Sequence, residues 1–220
     1  MPNPITIHSD PKETPKAILV FCHGLGDTGY GWSQSFRDLS IRNKNVKYLF
    51  PFAEYQKVTV NKGCRMPSWF DIRGLQNDVY TKEEDEAGLE KSSAKICELI
   101  DQELAKNPHL TEKDVILGGV SQGGALALYA GLTRIRNGAT PLGGIIALST
   151  WLPLKDQFLK NDKKILKELR DTKVFQGHGD ADLLVPFQVG QLASDILKET
   201  NLFSEFKSYG GMGHNFGDHE

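Results

Sequence analysis

Long apolar runs are missing from these 220 residues. Nothing approaches the roughly 18 consecutive apolar residues of a membrane-crossing helix, so no span is expected. An excess of charge of one sign is missing too: 26 Lys and Arg stand against 28 Asp and Glu, a formal net charge of −2. No basic face for nucleic acid and no polybasic stretch for anionic lipid stands out. Nucleic acid is therefore not an expected partner, and contact with a membrane surface is at most transient. Cysteine is scarce. Cys22, Cys64 and Cys97 are odd in number and lack metal-ligand spacing, which points to a reducing compartment and to no metal site. Cys22 lies in an apolar run and Cys97 in a helical pattern, so both read as buried thiols. The start, Met1-Pro2-Asn3-Pro4, shows no basic region followed by an apolar stretch, and Pro2 stands where myristoylation needs glycine. A cytoplasmic protein is expected. Repeats, low-complexity segments and linkers are absent as well, which leaves one domain over residues 1–220.

What is present is an ordinary globular composition, 39% hydrophobic and 25% charged. Short apolar runs alternate with helical patterns. Ala17–Cys22 reads as a strand buried on both faces, Val46–Phe50 as a second, ended by Pro51. An irregular, turn-rich stretch runs on to about Tyr80. Glu83–Lys106 reads as a helix with acids in its first turn and Leu89, Ile96, Ile100 and Leu104 on one face, stopped by Pro108. Val115–Leu117 is the next strand, followed by an apolar helix over Gly123–Ile135. Strands at Ile145–Leu148 and Lys173–Phe175, a helix at Phe187–Glu199 and a strand at Ser204–Tyr209 complete the series. Strands separated by helices imply an α/β fold, a mainly parallel sheet with helices on both faces.

The strongest local signal is Gly119-Val120-Ser121-Gln122-Gly123, a G-x-S-x-G between a strand and an apolar helix. A nucleophilic serine on so tight a turn tolerates little bulk beside it, and the helix N-terminus faces the reacting centre. A serine hydroxyl needs a base to take its proton and an acid to orient that base, and in the α/β-hydrolase fold these follow in the order Ser, Asp, His. Both are supplied in order, each after a strand: Gly177-His178-Gly179-Asp180-Ala181-Asp182, then Gly210-Gly211-Met212-Gly213-His214. Among six histidines, His214 is preferred for its glycine-rich setting after the last strand, with His219 its one competitor. His23 and His178 sit at strand ends, where a ring hydrogen-bonds the local backbone. Asp182, later in its turn, is the preferred acid, and Asp180 is read as a turn-forming residue capping local N–H groups. Two backbone N–H donors must meet the developing oxyanion: one from Gln122, one from the loop His23–Asp27. Acyl transfer of this kind requires no metal and no cofactor.

Those residues bring a known family into view. His23–Gly29, Pro67–Asp71, Gly118–Ala125, Ser149–Pro153 and His178–Asp182 resemble the acyl-protein thioesterases of the phospholipase/carboxylesterase family, within the α/β hydrolases. The resemblance runs from about residue 15 to 214. It implies hydrolysis of palmitoyl thioesters on S-acylated proteins, with lysophospholipids and simple esters as further substrates; a lysophospholipase or broad carboxylesterase is the alternative. It implies a triad of Ser121, Asp182 and His214, oxyanion N–H groups from Leu25 and Gln122, and an acyl channel near Trp69, Leu75, Trp151 and Leu184. Core packing is the competing role for those four. Two departures accompany it. The family continues past the histidine loop into a final amphipathic helix, which is expected to be lacking where the chain stops at Glu220. The N-terminal cysteine that some relatives carry for lipidation has no counterpart before Cys22.

Overall fold

In the strand Ala17–Cys22, Ile18, Val20 and Cys22 enter one apolar layer while Leu19 and Phe21 enter another. That two-sided burial marks the centre of a sheet covered on both faces. The computed structural model describes residues 2–8, 13–74, 83–159, 172–199 and 203–214. Within them the strands are β1 (Ile5–His8), β2 (Ala17–Cys22), β3 (Val46–Phe50), β4 (Glu54–Val58), β5 (Cys64–Ser68), β6 (Val115–Val120), β7 (Gly144–Leu148), β8 (Lys173–Gly179) and β9 (Phe203–Tyr209). The helices are α1 (Gly29–Ser35), α2 (Arg37–Arg42), α3 (Glu86–Lys106), α4 (Gln122–Arg136), the short α5 (Asp156–Leu159) and α6 (Phe187–Glu199).

Seven strands form one sheet in the order β1-β3-β2-β6-β7-β8-β9. Every neighbouring pair is parallel except β1 with β3. The α/β-hydrolase expectation of a mainly parallel sheet is met. The larger apolar layer joins β2 and β6 to α3, α4 and α6, through Leu89, Ile96, Leu126, Tyr129, Ile196 and others. The smaller layer, on the other face, gathers Phe21, Trp32, Phe36, Tyr48 and Phe50 around α1.

The structure differs from the sequence reading in several places: the edge strand β1 is unforeseen, and β6 and β8 run on to Val120 and Gly179. The helix expected from Glu83 begins at Glu86, because Asp85 is its N-cap and accepts the Gly88 N–H at 3.1 Å. The segment before β3 holds α1 and α2; α1, with two Gly and two Ser in seven residues, has poor helix propensity, and burial of Trp32 and Phe36 compensates. The irregular stretch after Pro51 contains a separate antiparallel hairpin of β4 and β5, with Lys62 and Gly63 at positive φ (56° and 76°) in its turn. Residues 75–82, including Leu75, and 215–220, including His219, lie outside the described residues.

Candidate active site

Strand ends at one edge of the sheet carry the residues in question. Ser121 follows β6, the loop His23–Asp27 follows β2, the turn with Asp182 follows β8, and His214 follows β9. Because these strands run parallel, their carboxyl ends share an edge, where α/β sheets present their binding groups.

Ser121 has φ 53° and ψ −122°, outside the regions favoured by L-residues. Two close approaches show why glycines surround it. A Cβ on Gly119 would lie 2.3 Å from the Gly123 carbonyl oxygen, and one on Gly123 would lie 2.2 Å from that of Cys22. The Ser121 N–H donates to the Leu148 carbonyl at 2.8 Å, and Thr150 Oγ1 donates to the Ser121 carbonyl at 2.6 Å. These bonds tie the turn to the neighbouring strand end.

His214 stands between Ser121 and Asp182. Its Nε2 is 3.0 Å from Ser121 Oγ, and its Nδ1 is 2.7 Å from Asp182 Oδ2. Asp182 is nearly fully buried, and its Oδ1 accepts the Leu184 and Val185 N–H groups, each at 2.9 Å. Burial raises the pKa of this carboxyl, but its hydrogen bonds with His214, Val185 and Leu184 prevail and hold it below the ordinary carboxylate value. An ionised carboxylate only accepts, so Nδ1 of His214 carries the proton and Nε2 is free to accept from the serine hydroxyl. Such a relay can draw a proton from Ser121 and stabilise the resulting imidazolium.

The rival residues are engaged with the backbone, although His178 Nε2 also lies 3.5 Å from Asp182 Oδ2. His23 Nδ1–H donates to the Gly24 carbonyl at 2.7 Å, and its Nε2 accepts the Ala53 N–H at 3.1 Å. His178 Nε2–H donates to the Val185 carbonyl at 2.8 Å. Burial lowers the pKa of both rings, so both stay neutral. Asp180 does more than cap its own turn. Its Oδ1 accepts the Gly211 N–H at 2.7 Å, joining the turn after β8 to the loop that carries His214.

Gln122 opens α4, so its N–H belongs to the first helical turn and has no intrahelical partner. Leu25 lies in the turn after β2, beside Gly24, whose added Cβ would be 3.6 Å from Ser121 Cβ. A cavity of about 380 Å³ opens here beside Ser121 and His214; its apolar wall is Leu25, Trp32, Met66, Ile72, Val120 and Leu184, and Asp27, Asn61 and Ser149 add polar groups. Of the four residues expected along an acyl channel, Leu184 reaches this cavity. Trp69 and Trp151 do not line it, and both are almost wholly buried. The Trp69 indole N–H is taken by the His23 carbonyl at 2.8 Å, and Trp151 packs edge-on against Phe70. Trp32 and Met66 escaped the sequence reading because α1 and the hairpin that deliver them escaped it, and Ile72 follows the hairpin in the same irregular stretch.

A model of the phospholipase/carboxylesterase family matches residues 4–220. The chain belongs to that family. Among similar proteins, acyl-protein thioesterase 1 of Mycosarcoma maydis is 42% identical, covering 91% of this chain and 85% of the relative. Acyl-protein thioesterase 1 of Gibberella zeae is 40% identical over 90% of this chain and 83% of its own length. The crystal structure of Zea mays acyl-protein thioesterase 2 superposes with TM-score 0.83 at 28% identity, covering 99% of this chain and 93% of that one. Arabidopsis thaliana SOBER1 is similar at TM-score 0.76 and 32% identity, over 91% of each chain. Like these, the chain is an α/β-hydrolase-type enzyme. Among its described residues no helix is long and apolar enough to cross a membrane.

Proposed function

We propose that this enzyme is a serine hydrolase that cleaves long-chain acyl thioesters, palmitoyl above all, from protein cysteines through an acyl-enzyme on Ser121. The observation that carries the reading is His214, hydrogen-bonded to Ser121 Oγ on one side and to buried Asp182 on the other, at 3.0 and 2.7 Å. Ser121 Oγ attacks the thioester carbonyl while His214 Nε2 takes its proton. The N–H groups of Leu25 and Gln122 receive the oxyanion. Collapse breaks the C–S bond, and His214 returns the proton to the departing cysteine thiolate. Water then repeats the cycle: His214 deprotonates it, the acyl ester is cleaved, and a fatty acid leaves as Ser121 recovers its proton.

Substrate choice is assigned to the cavity beside Ser121, with Leu184 and its apolar neighbours around the acyl chain. Each buried methylene contributes about 0.8 kcal/mol gross, so apolar lining rather than charge sets the preference. The names of the similar thioesterases and the apolar cavity support S-acylated proteins as substrates. Cys22, Cys64 and Cys97 are all free, which fits a reducing, cytoplasmic setting.

Labelling with a fluorophosphonate followed by peptide mapping tests the nucleophile; the label is expected on Ser121. Comparison of kcat/KM on a palmitoylated peptide and on a lysophospholipid tests the substrate, and a higher value for the lipid overturns the thioesterase assignment in favour of a lysophospholipase.

A further inference from the structure

The segment Pro67–Phe70, at the end of β5, bonds to both loops that carry the proposed oxyanion donors. On the β2 side, the Gly26 N–H donates to the Pro67 carbonyl at 2.9 Å, and the Trp69 indole N–H donates to the His23 carbonyl at 2.8 Å. On the elbow side, the Trp69 backbone N–H donates to Gln122 Oε1 at 3.0 Å. Gln122 Nε2 returns two bonds, to Ser68 Oγ at 2.9 Å and to the Phe70 carbonyl at 2.6 Å. Ser92 Oγ, on α3, donates to the Trp69 carbonyl. The indole also leans on the His23 ring, with centroids 4.9 Å apart. Trp69, Gln122 and His23 are buried, so water does not compete for these bonds.

We propose that Trp69 is a positioning residue that sets the spacing between the Leu25 and Gln122 N–H groups, an inference that rests on the serine-hydrolase reading above. The two donors come from loops after different strands, β2 and β6. Pairing of those strands fixes where the loops begin but not where their tips lie. Trp69 crosses from one to the other, with its backbone N–H on the elbow and its indole N–H on the β2 loop. An oxyanion site acts because its donors are already in place before charge develops, so a link of fixed length between them has a direct effect on rate. Simple core packing would fill the same space without requiring an N–H at either end.

Trp69→Phe removes the indole N–H and keeps an aromatic ring. Four quantities are read: kcat, KM, melting temperature, and affinity for two ligands of equal chain length. One ligand is a trifluoromethyl ketone, which forms an oxyanionic adduct with Ser121; the other is the corresponding secondary alcohol, which fills the cavity without forming one. The expected loss in kcat is about 10- to 100-fold, in line with a donor displaced by up to about 1 Å. KM and alcohol binding stay near wild type, and ketone affinity falls with kcat. An unchanged kcat, or equal weakening of ketone and alcohol, overturns the proposal in favour of packing alone. If Trp69→Phe does not fold, Ser68→Ala decides: it removes one acceptor of Gln122 Nε2, and the same ketone-selective loss, on the order of 3- to 10-fold, is expected. Ser121→Ala, run alongside, separates the two levels. Activity surviving in it overturns the serine-hydrolase reading, whereas its loss beside an unaffected Trp69→Phe overturns the positioning role alone.

Discussion

Ser121 and His214 are 3.0 Å apart, yet the two are held by different forces. On the serine side the constraint is steric and lies in the main chain. Ser121 has positive φ, and Gly119 and Gly123 have no room for a Cβ against the backbone of Gly123 and Cys22. On the histidine side the constraint is hydrogen bonding between two turns. Asp182 takes N–H groups from Leu184 and Val185 and holds His214, while Asp180 takes the Gly211 N–H. The Ala181 N–H adds a bond to the Met212 carbonyl at 3.0 Å. A steric constraint is indifferent to pH. A hydrogen-bonded one is assembled from distant parts of the chain and depends on protonation.

Substitutions on each side can break that contrast. The largest effect is expected from Ser121→Ala, a fall in thioester kcat of roughly 10⁴- to 10⁶-fold with the melting temperature preserved. A variant that retained a tenth of the activity would refute the assignment of the nucleophile. Next comes Asp182→Asn, with a loss on the order of 10⁴-fold, because an amide no longer selects the tautomer whose Nε2 accepts the serine proton. Gly123→Ala should cost both activity and stability, since the backbone carbonyl of Cys22 cannot yield as a flexible side chain does. At least about 2 kcal/mol of destabilisation by denaturant titration is expected, within the range for overpacking. Asp180→Asn should reduce kcat only about 2- to 10-fold, since it weakens one bond that anchors the histidine loop. If Asp180→Asn proves more damaging than Asp182→Asn in steady-state assays, the acid is Asp180.

The smallest effect concerns pH. Burial holds His23 and His178 below their ordinary 6.5, so the unfolded chain binds protons that the folded chain does not. Their contribution to stability is whole above that value and declines as pH falls below it. Asp182 acts at lower pH: its contribution is present above the ordinary 3.8 and is lost as pH falls through its depressed value. Thermal melting should drop by a few degrees from about pH 7.5 to about pH 5.5. A flat profile over that interval would contradict neutral burial of the two histidines.

The serine side of the site was readable because its steric demand is recorded in the residue types beside Ser121, although the backbone that Gly123 meets belongs to Cys22 on β2. Steric demand for glycine appears directly as Gly119 and Gly123, and the apolar runs on either side identify the strand and the helix. The strands β2, β3 and β8, and helix α6, begin at the residues expected, since each is an apolar run or stripe that reports its own burial. Asp182 and His214 are candidates by chain order and position in their turns, and the fold brings them together. Their separation by thirty-two positions along the chain, closed to 2.7 Å in space, is a property of β8 pairing with β9.

Trp69 marks the boundary of what the residues disclose on their own. The family resemblance implied a place along an acyl channel, with core packing as the competing role, but the fold turns the indole N–H to the His23 carbonyl and leaves Met66 and Ile72 facing the cavity. Likewise the helix Gly29–Ser35 defies its own composition, because Trp32 gains more by entering the layer with Phe21 and Phe36 than the backbone loses at Gly29 and Gly31. The sequence by itself determined what depends on residue type and order along the chain: the sheet's buried strands, the tight turn at Ser121 and the order in which Asp182 and His214 follow it. Only the tertiary structure decided what depends on neighbours in space, namely which apolar residues line the cavity and how Pro67–Phe70 spans two loops. Burial and hydrogen bonding across long separations are set by packing, and no local pattern of residues records them.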